Sequence, residues 1–184
     1  MKKLLIPILC WPFLANSPCV HATNMANSAS VTLGAAANFF DSKRNIKDAS
    51  GPFVAVGYNF TNHWGIEGLL GSFRTKFKRR EDNRRGISGT QFAFNGIYHF
   101  SPLRNNVQPF VLAGVGILGL DPNGTDAHNE GNVNAGLGVQ IFFDPVVALR
   151  LEARDAYTFI GGKNDLFLGL GVTFLLPLNC TNNL

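Results

Sequence analysis

Apolar and charged residues alternate strictly over residues 147–159. One side of this run carries Leu149, Leu151, Ala153 and Tyr157, and the other carries Arg150, Glu152 and Arg154. Successive side chains of a strand point to opposite faces, so a period of two predicts a β-strand. Two arrangements fit this strand. Its charged face lies in water and its apolar face on a core, or its apolar face meets lipid and its charges lie inside a closed barrel.

Seven further runs show the same alternation, which gives eight in all. They cover residues 30–40, 51–60, 64–75, 87–100, 108–120, 132–143 and 165–175. Polar segments separate them, at residues 41–50, 76–86 and 121–131 among others. Helical periodicity is scarce, and many glycines lie inside the alternating runs, which argues against helices.

Three features favour lipid outside the barrel. The apolar face of nearly every run is continuous, whereas the opposite face carries mainly glycine, asparagine and glutamine. At about 3.3 Å per residue and a tilt of about 40°, roughly eleven residues rise about 28 Å, enough to cross an apolar band of about 25 Å. Short and longer connections alternate on average, as in outer-membrane barrels. The sequence therefore predicts an all-β fold, an eight-stranded antiparallel up-and-down transmembrane β-barrel.

Aromatic residues cluster near the ends of the runs, which predicts two girdles at the two membrane interfaces. The girdle beside the short turns would contain Tyr58, Phe60, Trp64, Tyr98, Phe100, Phe143 and Phe174. The girdle at the opposite end would contain Phe39, Phe73, Tyr157 and Phe159.

An eight-stranded barrel is just wide enough for its interior to be filled by side chains. Four charged residues have inward parity, and we expect them to form an internal ion-pair cluster: Glu67, Arg150, Glu152 and Arg154. Polar neighbours would assist them, namely Asn59, Gln91, Asn95, Asn134 and Gln140. Such an interior would be a plug with small water pockets.

Residues 1–22 have the pattern of a secretory signal peptide. Lys2 and Lys3 precede a short, mostly apolar run, and Ala22 ends a small-residue cleavage site. We expect the barrel domain to occupy residues 23–184, with a short tail at 176–184. Cleavage would leave Cys180 as the lone cysteine, so no disulfide framework is expected. It would also lower the formal charge from +4 to +2 by removing two lysines, and we expect no nucleic-acid partner.

The remaining basic residues concentrate in one segment, RTKFKRREDNRR at residues 74–85. It holds Arg74, Lys76, Lys78, Arg79, Arg80, Arg84 and Arg85. Two interpretations stay open. This basic surface loop either contacts the phosphates of lipopolysaccharide or acidic host glycans, or it is a solvated loop beside an anionic surface.

Several motifs resemble those of the OmpA-like and related eight-stranded outer-membrane barrels. They are QPFVLAGVG from Gln108, residues 51–60 with the following Asn-His-Trp, NAGLGVQIFF, and the final LGLGVTF. The resemblance implies the outer membrane of a Gram-negative bacterium, assembly by the barrel-assembly machinery, and roles in envelope integrity or surface contact. About ten residues follow the last aromatic, Phe174, which departs from the family. No segment matches the peptidoglycan-binding domain of larger members, so that function is not carried over.

Three functions follow as hypotheses. The first is a structural or surface-contact barrel without catalysis, which we favour, with lipopolysaccharide, outer-membrane lipids and host surface glycans or proteins as partners. The second is a narrow channel for ions or small solutes. The third is a lipid A-modifying enzyme, since His99-Phe100-Ser101 has the His-x-Ser spacing of lipid A deacylases. We expect no catalytic site, cofactor or metal.

Overall fold

The computed structural model describes residues 23–78, 86–103, 106–122 and 128–178. It is a closed barrel in which each strand pairs antiparallel with the next, and the last pairs with the first. The strands are β1 Ser28–Phe39, β2 Ala49–Asn59, β3 Trp64–Lys76, β4 Gly86–His99, β5 Val107–Pro122, β6 His128–Asp144, β7 Val147–Thr158 and β8 Lys163–Pro177. The predicted fold class is confirmed. No helix in the described ranges is long and apolar enough to cross a membrane.

Several strands extend beyond the runs predicted from the sequence. The polar segment at 121–131 was expected to be a loop, but β5 continues to Pro122 and β6 begins at His128. Leu120 pairs with His128 in this extension. Polar residues remain in the ladder because strands that rise above the apolar band face water on their outer side. Periodicity in hydrophobicity fades there although the hydrogen bonding continues.

The two ends of the barrel differ. The short-turn end carries the connections at 60–63, 100–106 and 145–146. The long-loop end carries those at 40–48, 77–85, 123–127 and 159–162, and a 3₁₀ turn, Ser42–Arg44, lies in the first of them. We call residues 40–48 the first loop. In outer-membrane barrels the longer loops face the exterior of the cell.

Large apolar side chains lie on the outside of the barrel. Leu33, Leu137 and Leu170 are 54%, 64% and 51% exposed, although they occupy central positions in their strands. Glu67 and Arg150, which are charged, are buried inside. This inversion of the pattern of a soluble protein matches a wall that faces hydrocarbon.

The interior is richer in phenylalanine than the alternation along the strands predicts. Buried rings come from Phe53, Phe73, Phe110, Phe142 and Phe167. Small residues opposite them make the room, because a Cβ on Gly138 would lie 2.4 Å from the Phe110 ring. The lumen is therefore divided by apolar layers between its polar groups.

The assignment of Phe73 to an aromatic girdle was wrong. Phe73 is buried, and its ring centroid lies 5.1 Å from that of Phe40 inside the barrel. Its position has the parity of Glu67, and Gly89 opposite leaves space that a Cβ would fill at 2.1 Å from the ring. Tyr157 and Phe159 do contact each other on the exposed surface, with centroids 5.6 Å apart.

Segments of the chain fold over both mouths of the barrel. At the short-turn end, the backbone N–H of Asn24 donates to Oε1 of Gln108 at 2.7 Å. Met25 packs beside this contact against the buried Phe142 and Ala148. At the long-loop end the first loop covers the opening, and its own Ile46 is buried against Phe73 and Ile87 of the barrel.

Candidate functional site

The structure brings together the four inward charged residues, which we call the central cluster. Arg150 pairs with both Glu67 and Glu152, and its Nη2 lies 2.6 Å from Oε2 of Glu152. Arg154 pairs with the same two carboxylates, its Nη2 lying 2.9 Å from Oε1 of Glu67 and 3.0 Å from Oε1 of Glu152. Each arginine therefore bridges both glutamates.

The alternation of side chains along the strands explains why these four residues point into the barrel. Arg150, Glu152 and Arg154 alternate along β7, and Glu67 reaches them across the lumen from β3. All four are buried, so each charge needs an opposite partner to offset its desolvation. The cluster has two charges of each sign and is neutral as a unit.

Aromatic rings flank the cluster. The guanidinium of Arg150 lies 4.6 Å from the ring centroid of Phe110, and that of Arg154 lies 5.4 Å from the centroid of Phe167. Cation–π contact adds to the attraction that holds a desolvated guanidinium. Ion pairs between its members and contacts with the two neighbouring rings therefore hold the central cluster in place.

The polar residues expected to assist the cluster do so unequally. Asn59 donates to Oγ of Ser28 at 3.1 Å, and the structure gives it no bond to the cluster. Asn95 and Asn134 are buried, and their amides have no protein partner within the described ranges. Gln91 and Asn134 line a cavity of about 50 Å³ beside Arg154. A cavity of this size, mostly apolar but with these polar groups on its wall, has room for a few water molecules.

A second ion cluster, which sequence reasoning missed, lies at the long-loop end. We call it the outer cluster. Arg44 of the first loop pairs with Glu130 and with Asp165, its Nη2 lying 2.6 Å from Oδ2 of Asp165. Its Nη2 also donates to Oγ1 of Thr158 at 2.8 Å, and Lys163 completes the group with Nζ 2.6 Å from Oε1 of Glu130.

Local chain geometry aims Arg44 into the barrel. Oδ1 of Asp41 accepts the Lys43 N–H at 2.8 Å, and Oδ2 accepts the Asn164 N–H at 3.0 Å. Asn45 ends the 3₁₀ turn in the left-handed conformation, with φ of 56°. These backbone hydrogen bonds from Lys43 and Asn164 lower the pKa of Asp41. The loop is therefore tied to the start of β8 by an ionised carboxylate.

The charge state of Arg44 is also set by its surroundings. Burial alone would lower its pKa, but hydrogen bonds to Asp165 and Glu130 outweigh that effect, so the pKa is raised. Arg44 is therefore cationic at neutral pH. The parity of Asp165 in β8 could have indicated an inward carboxylate, whereas no periodicity marks Arg44 in its loop.

Four exposed cations, Lys47, Arg74, Lys76 and Lys78, form a surface that we call the basic corner. The first loop runs beside the end of β3 here, since the Lys47 N–H donates to the Lys76 carbonyl at 2.9 Å and the Lys78 N–H to the Asn45 carbonyl at 2.8 Å. Lys47 was not predicted from the sequence. The predicted members Arg79, Arg80, Arg84 and Arg85 lie outside the described residues.

The chain matches the family described as outer membrane protein beta-barrel domain over residues 13–174. It belongs to this family. Three solved barrels share the fold of this outer-membrane barrel. They are OprG of Pseudomonas aeruginosa (TM-score 0.64, 12% identity, 84% of this chain and 98% of that one), Neisserial surface protein A (0.61, 18%, 79% and 96%), and Ail of Yersinia pestis in complex with the heparin analogue sucrose octasulfate (0.60, 15%, 83% and 100%). No curated protein matches the chain in sequence at a significant level.

The structure places the two residues of the His-x-Ser pair in different surroundings. His99 is buried in the lumen with its ring centroid 5.8 Å from that of Phe110, whereas Ser101 is exposed beyond the strand end. Within the described ranges, no group of three or more histidine, cysteine, aspartate or glutamate side chains could hold a metal ion.

Proposed function

We propose that this outer-membrane barrel is a non-enzymatic surface protein that binds polyanionic glycans at its basic corner. The proposal rests on the exposure of four cations at this corner and on their lack of partners among the described residues. Lys47, Arg74, Lys76 and Lys78 are exposed, and within the described residues none of their side chains has an ion-pair or hydrogen-bond partner. Their charges are therefore available to a ligand.

The other described cations are engaged elsewhere. Nζ of Lys43 donates to the Gly162 carbonyl at 2.7 Å. Lys163 and Arg44 belong to the outer cluster, and Arg150 and Arg154 belong to the central one. Free positive charge is thus gathered at one corner of the long-loop end, and it is this asymmetry that favours a polyanionic ligand over a neutral one.

The sequence continues the basic character beyond the basic corner. Residues 74–85 contain seven basic and two acidic residues. Arginine forms paired hydrogen bonds with planar or tetrahedral oxyanions. The Ail structure with sucrose octasulfate adds support from a barrel of the same fold, because that ligand presents sulfate groups on a sugar.

A channel function has less support. The first loop covers one mouth, residues near Asn24 cover the other, and buried phenylalanines and the central cluster lie between them. The outer-membrane location follows from the family. The signal peptide and assembly by the barrel-assembly machinery remain predictions.

The proposal is tested with the folded protein in detergent and sucrose octasulfate as the probe. The variant Lys47→Gln/Lys76→Gln/Lys78→Gln keeps Arg74 and removes three exposed charges. We expect its dissociation constant to rise about tenfold, since exposed ion pairs contribute about 0.5 kcal/mol each. Wild-type binding should weaken as salt is raised.

Lys43→Gln is the matched control, because it removes an exposed lysine at the same end that already has a backbone partner. It should bind the probe like the wild type. Equal affinity of the triple variant and the wild type, or equal loss in the control, would contradict the proposal.

A further inference from the structure

The outward face of β2, β3 and β4 changes character toward the long-loop end. Leu70 and Phe92 form the last apolar pair between β3 and β4. The next outward pair is Ser72 with Thr90, and the one above it is Arg74 with Ser88. Toward the long-loop end, the outward side chains of β3 and β4 therefore change from apolar to hydroxyl-bearing in one step, and the next row carries a guanidinium.

Strands β1 and β8, on one side of this surface, do not show the change. In the same rows of the sheet, Ala37 of β1 pairs with Ser50 of β2 and with Leu168 of β8. The outward side chains on β8 are leucine, valine and phenylalanine from Leu166 to Leu176. Hydroxyls therefore enter the membrane-facing wall at β2 to β4 and not at β1 or β8.

The height of Arg74 places it near the lipid headgroups. Trp64 belongs to the girdle at the short-turn end, where its ring centroid lies 4.8 Å from that of Tyr98. About ten residues of strand at roughly 3.3 Å each, tilted by about 40°, separate it from Arg74 by about 25 Å. The apolar band of such barrels is also about 25 Å tall. Arg74 therefore lies at the outer interface.

Two shallow depressions flank Arg74 on this surface. The lower one is lined by the hydroxyls of Ser50, Ser72, Ser88 and Thr90, and the upper one by Lys76 and Ser88. Among the described residues no carboxylate lies within ion-pair distance of the Arg74 guanidinium. The arginine thus has donors beside it and no protein anion to neutralise it.

We propose that Arg74 and the surrounding hydroxyls bind the phosphate group of an outer-leaflet lipid headgroup. The guanidinium offers paired N–H donors to a phosphate, and the serine and threonine hydroxyls supply further donors around it. Leu70 and Phe92, directly below, meet the acyl chains of the same molecule. A phosphorylated lipid has both parts in this order, whereas a soluble glycan has only the upper one.

One acidic side chain, that of Asp121, limits where the phosphate can bind. Asp121 is exposed opposite Ser88 on the β5 side. Two strand spacings of about 4.8 Å separate its backbone from that of Arg74. Its charge disfavours a phosphate on the β5 side of Ser88, so the anion binds between Arg74 and the β2–β3 hydroxyls. The site shares Arg74 with the basic corner, but its other donors are the hydroxyls of β2 to β4, and lipid binding there does not require that a glycan binds at Lys47 and Lys78.

The experiment uses the full barrel in phosphatidylcholine nanodiscs that contain lipid A with two phosphates, or lipid A from which both phosphates have been removed. Native mass spectrometry after detergent release counts the lipid A that stays bound. We expect the wild type to retain the phosphorylated form about tenfold better than the dephosphorylated form. Arg74→Gln should remove that preference, and Ser72→Ala/Ser88→Ala should weaken it in part.

Lys43→Gln is the control for loss of a positive charge, and heat-modifiable migration of each variant confirms a closed barrel. Lys43→Gln should keep the preference, and Ser72→Ala/Ser88→Ala, which removes no charge, should bind sucrose octasulfate like the wild type. The proposal is overturned if folded Arg74→Gln retains phosphorylated lipid A like the wild type. Equal retention of both lipid forms by the wild type, or competition by millimolar inorganic phosphate that displaces all bound lipid, would overturn it as well.

Discussion

Nε of Arg44 donates to both carboxylate oxygens of Asp165, at 2.9 and 2.8 Å, across 121 positions of sequence. The contact joins the first loop to the start of β8 and holds the loop over the mouth. Phe40 and Ile46 of the same loop pack against Phe73 and Ile87 of the barrel interior. The covering of the barrel therefore depends on a buried charge pair above a small hydrophobic contact.

Replacing Arg44 should loosen this end of the barrel. Arg44→Gln leaves Asp165 without its cation, while Glu130 keeps Lys163. We expect the free energy of unfolding to fall by about 2–3 kcal/mol, because removing one partner of a buried pair exposes the other to an uncompensated desolvation cost. Urea unfolding from phospholipid vesicles measures the change. Lys43→Gln should cost far less, and equal losses in the two variants would contradict this role.

The first loop should also respond to acid through Asp41. The pKa of Asp41 is lowered below its ordinary value of 3.8 in the folded protein by backbone hydrogen bonds from Lys43 and Asn164. Its contribution to stability is therefore fully present above pH 3.8 and is lost as the pH falls through the lowered folded value. The protection factors of the Lys43 and Asn164 amides, which correct for the pH dependence of intrinsic exchange, should fall in that window.

Asp41→Asn provides the control for this titration. Its amide cannot ionise, and it has one acceptor oxygen in place of two, so the protection factors of the Lys43 and Asn164 amides should be lower at neutral pH and should change little further on acidification. Protection in the wild type that does not change between pH 6 and pH 3 would show that Asp41 does not hold the loop.

The sequence predicted the barrel well because hydrocarbon imposes a strict rule on every strand. The alternation of side chains places Glu67 on the other face of β3 from Trp64, and Arg150 on the other face of β7 from Leu149. This alternation was enough to predict the central cluster. The same alternation points Phe73 inward, and it overrides the tendency of aromatic residues to form girdles. The glycines opposite interior rings carried the missing information, since Gly89 only makes room when a large side chain faces it.

Contacts made by loops could not be predicted in this way. Arg44 lies in a polar segment without periodicity, and its partners Glu130 and Asp165 come from distant strands. Lys47 joins the basic corner only because the first loop pairs with the end of β3 through Ile46 and Phe77. Such contacts depend on the path of the loop in three dimensions, which local sequence does not specify.

The channel hypothesis leads to a direct electrical prediction. With both mouths covered and the lumen crossed by Phe53, Phe110 and Phe167, the wild type in a planar bilayer should show no steady conductance. Arg44→Gln opens only the outer covering and should stay nearly silent. Steady wild-type current that falls in Glu67→Gln or Arg154→Gln would contradict this and favour the channel.

The charges of the central cluster should be strongly coupled. Glu67→Gln leaves Arg150 and Arg154 with one carboxylate between them, and we expect it to cost about 3–5 kcal/mol. Arg150→Met leaves two carboxylates with one arginine, and we expect it to lower the free energy of unfolding by a similar amount. The double variant restores neutrality and should cost less than the sum of the two single changes, by about 1–3 kcal/mol. Additive effects in a double-mutant cycle of urea unfolding would mean that the pair is not coupled.

The packing of Phe110 against Arg150 should depend on the glycine opposite. A Cβ on Gly138 would lie 2.4 Å from the Leu151 carbonyl oxygen and 2.4 Å from the Phe110 ring. The backbone oxygen cannot yield, so Gly138→Ala must displace the strand and the ring together, at a cost of about 1–3 kcal/mol. Gly131→Ala, in the same strand with no atom within 4 Å of its Cβ, should be nearly neutral. Because the ring also contacts the Arg150 guanidinium, Gly138→Ala combined with Phe110→Leu should recover part of the loss, and no recovery would place the clash at the Leu151 carbonyl alone.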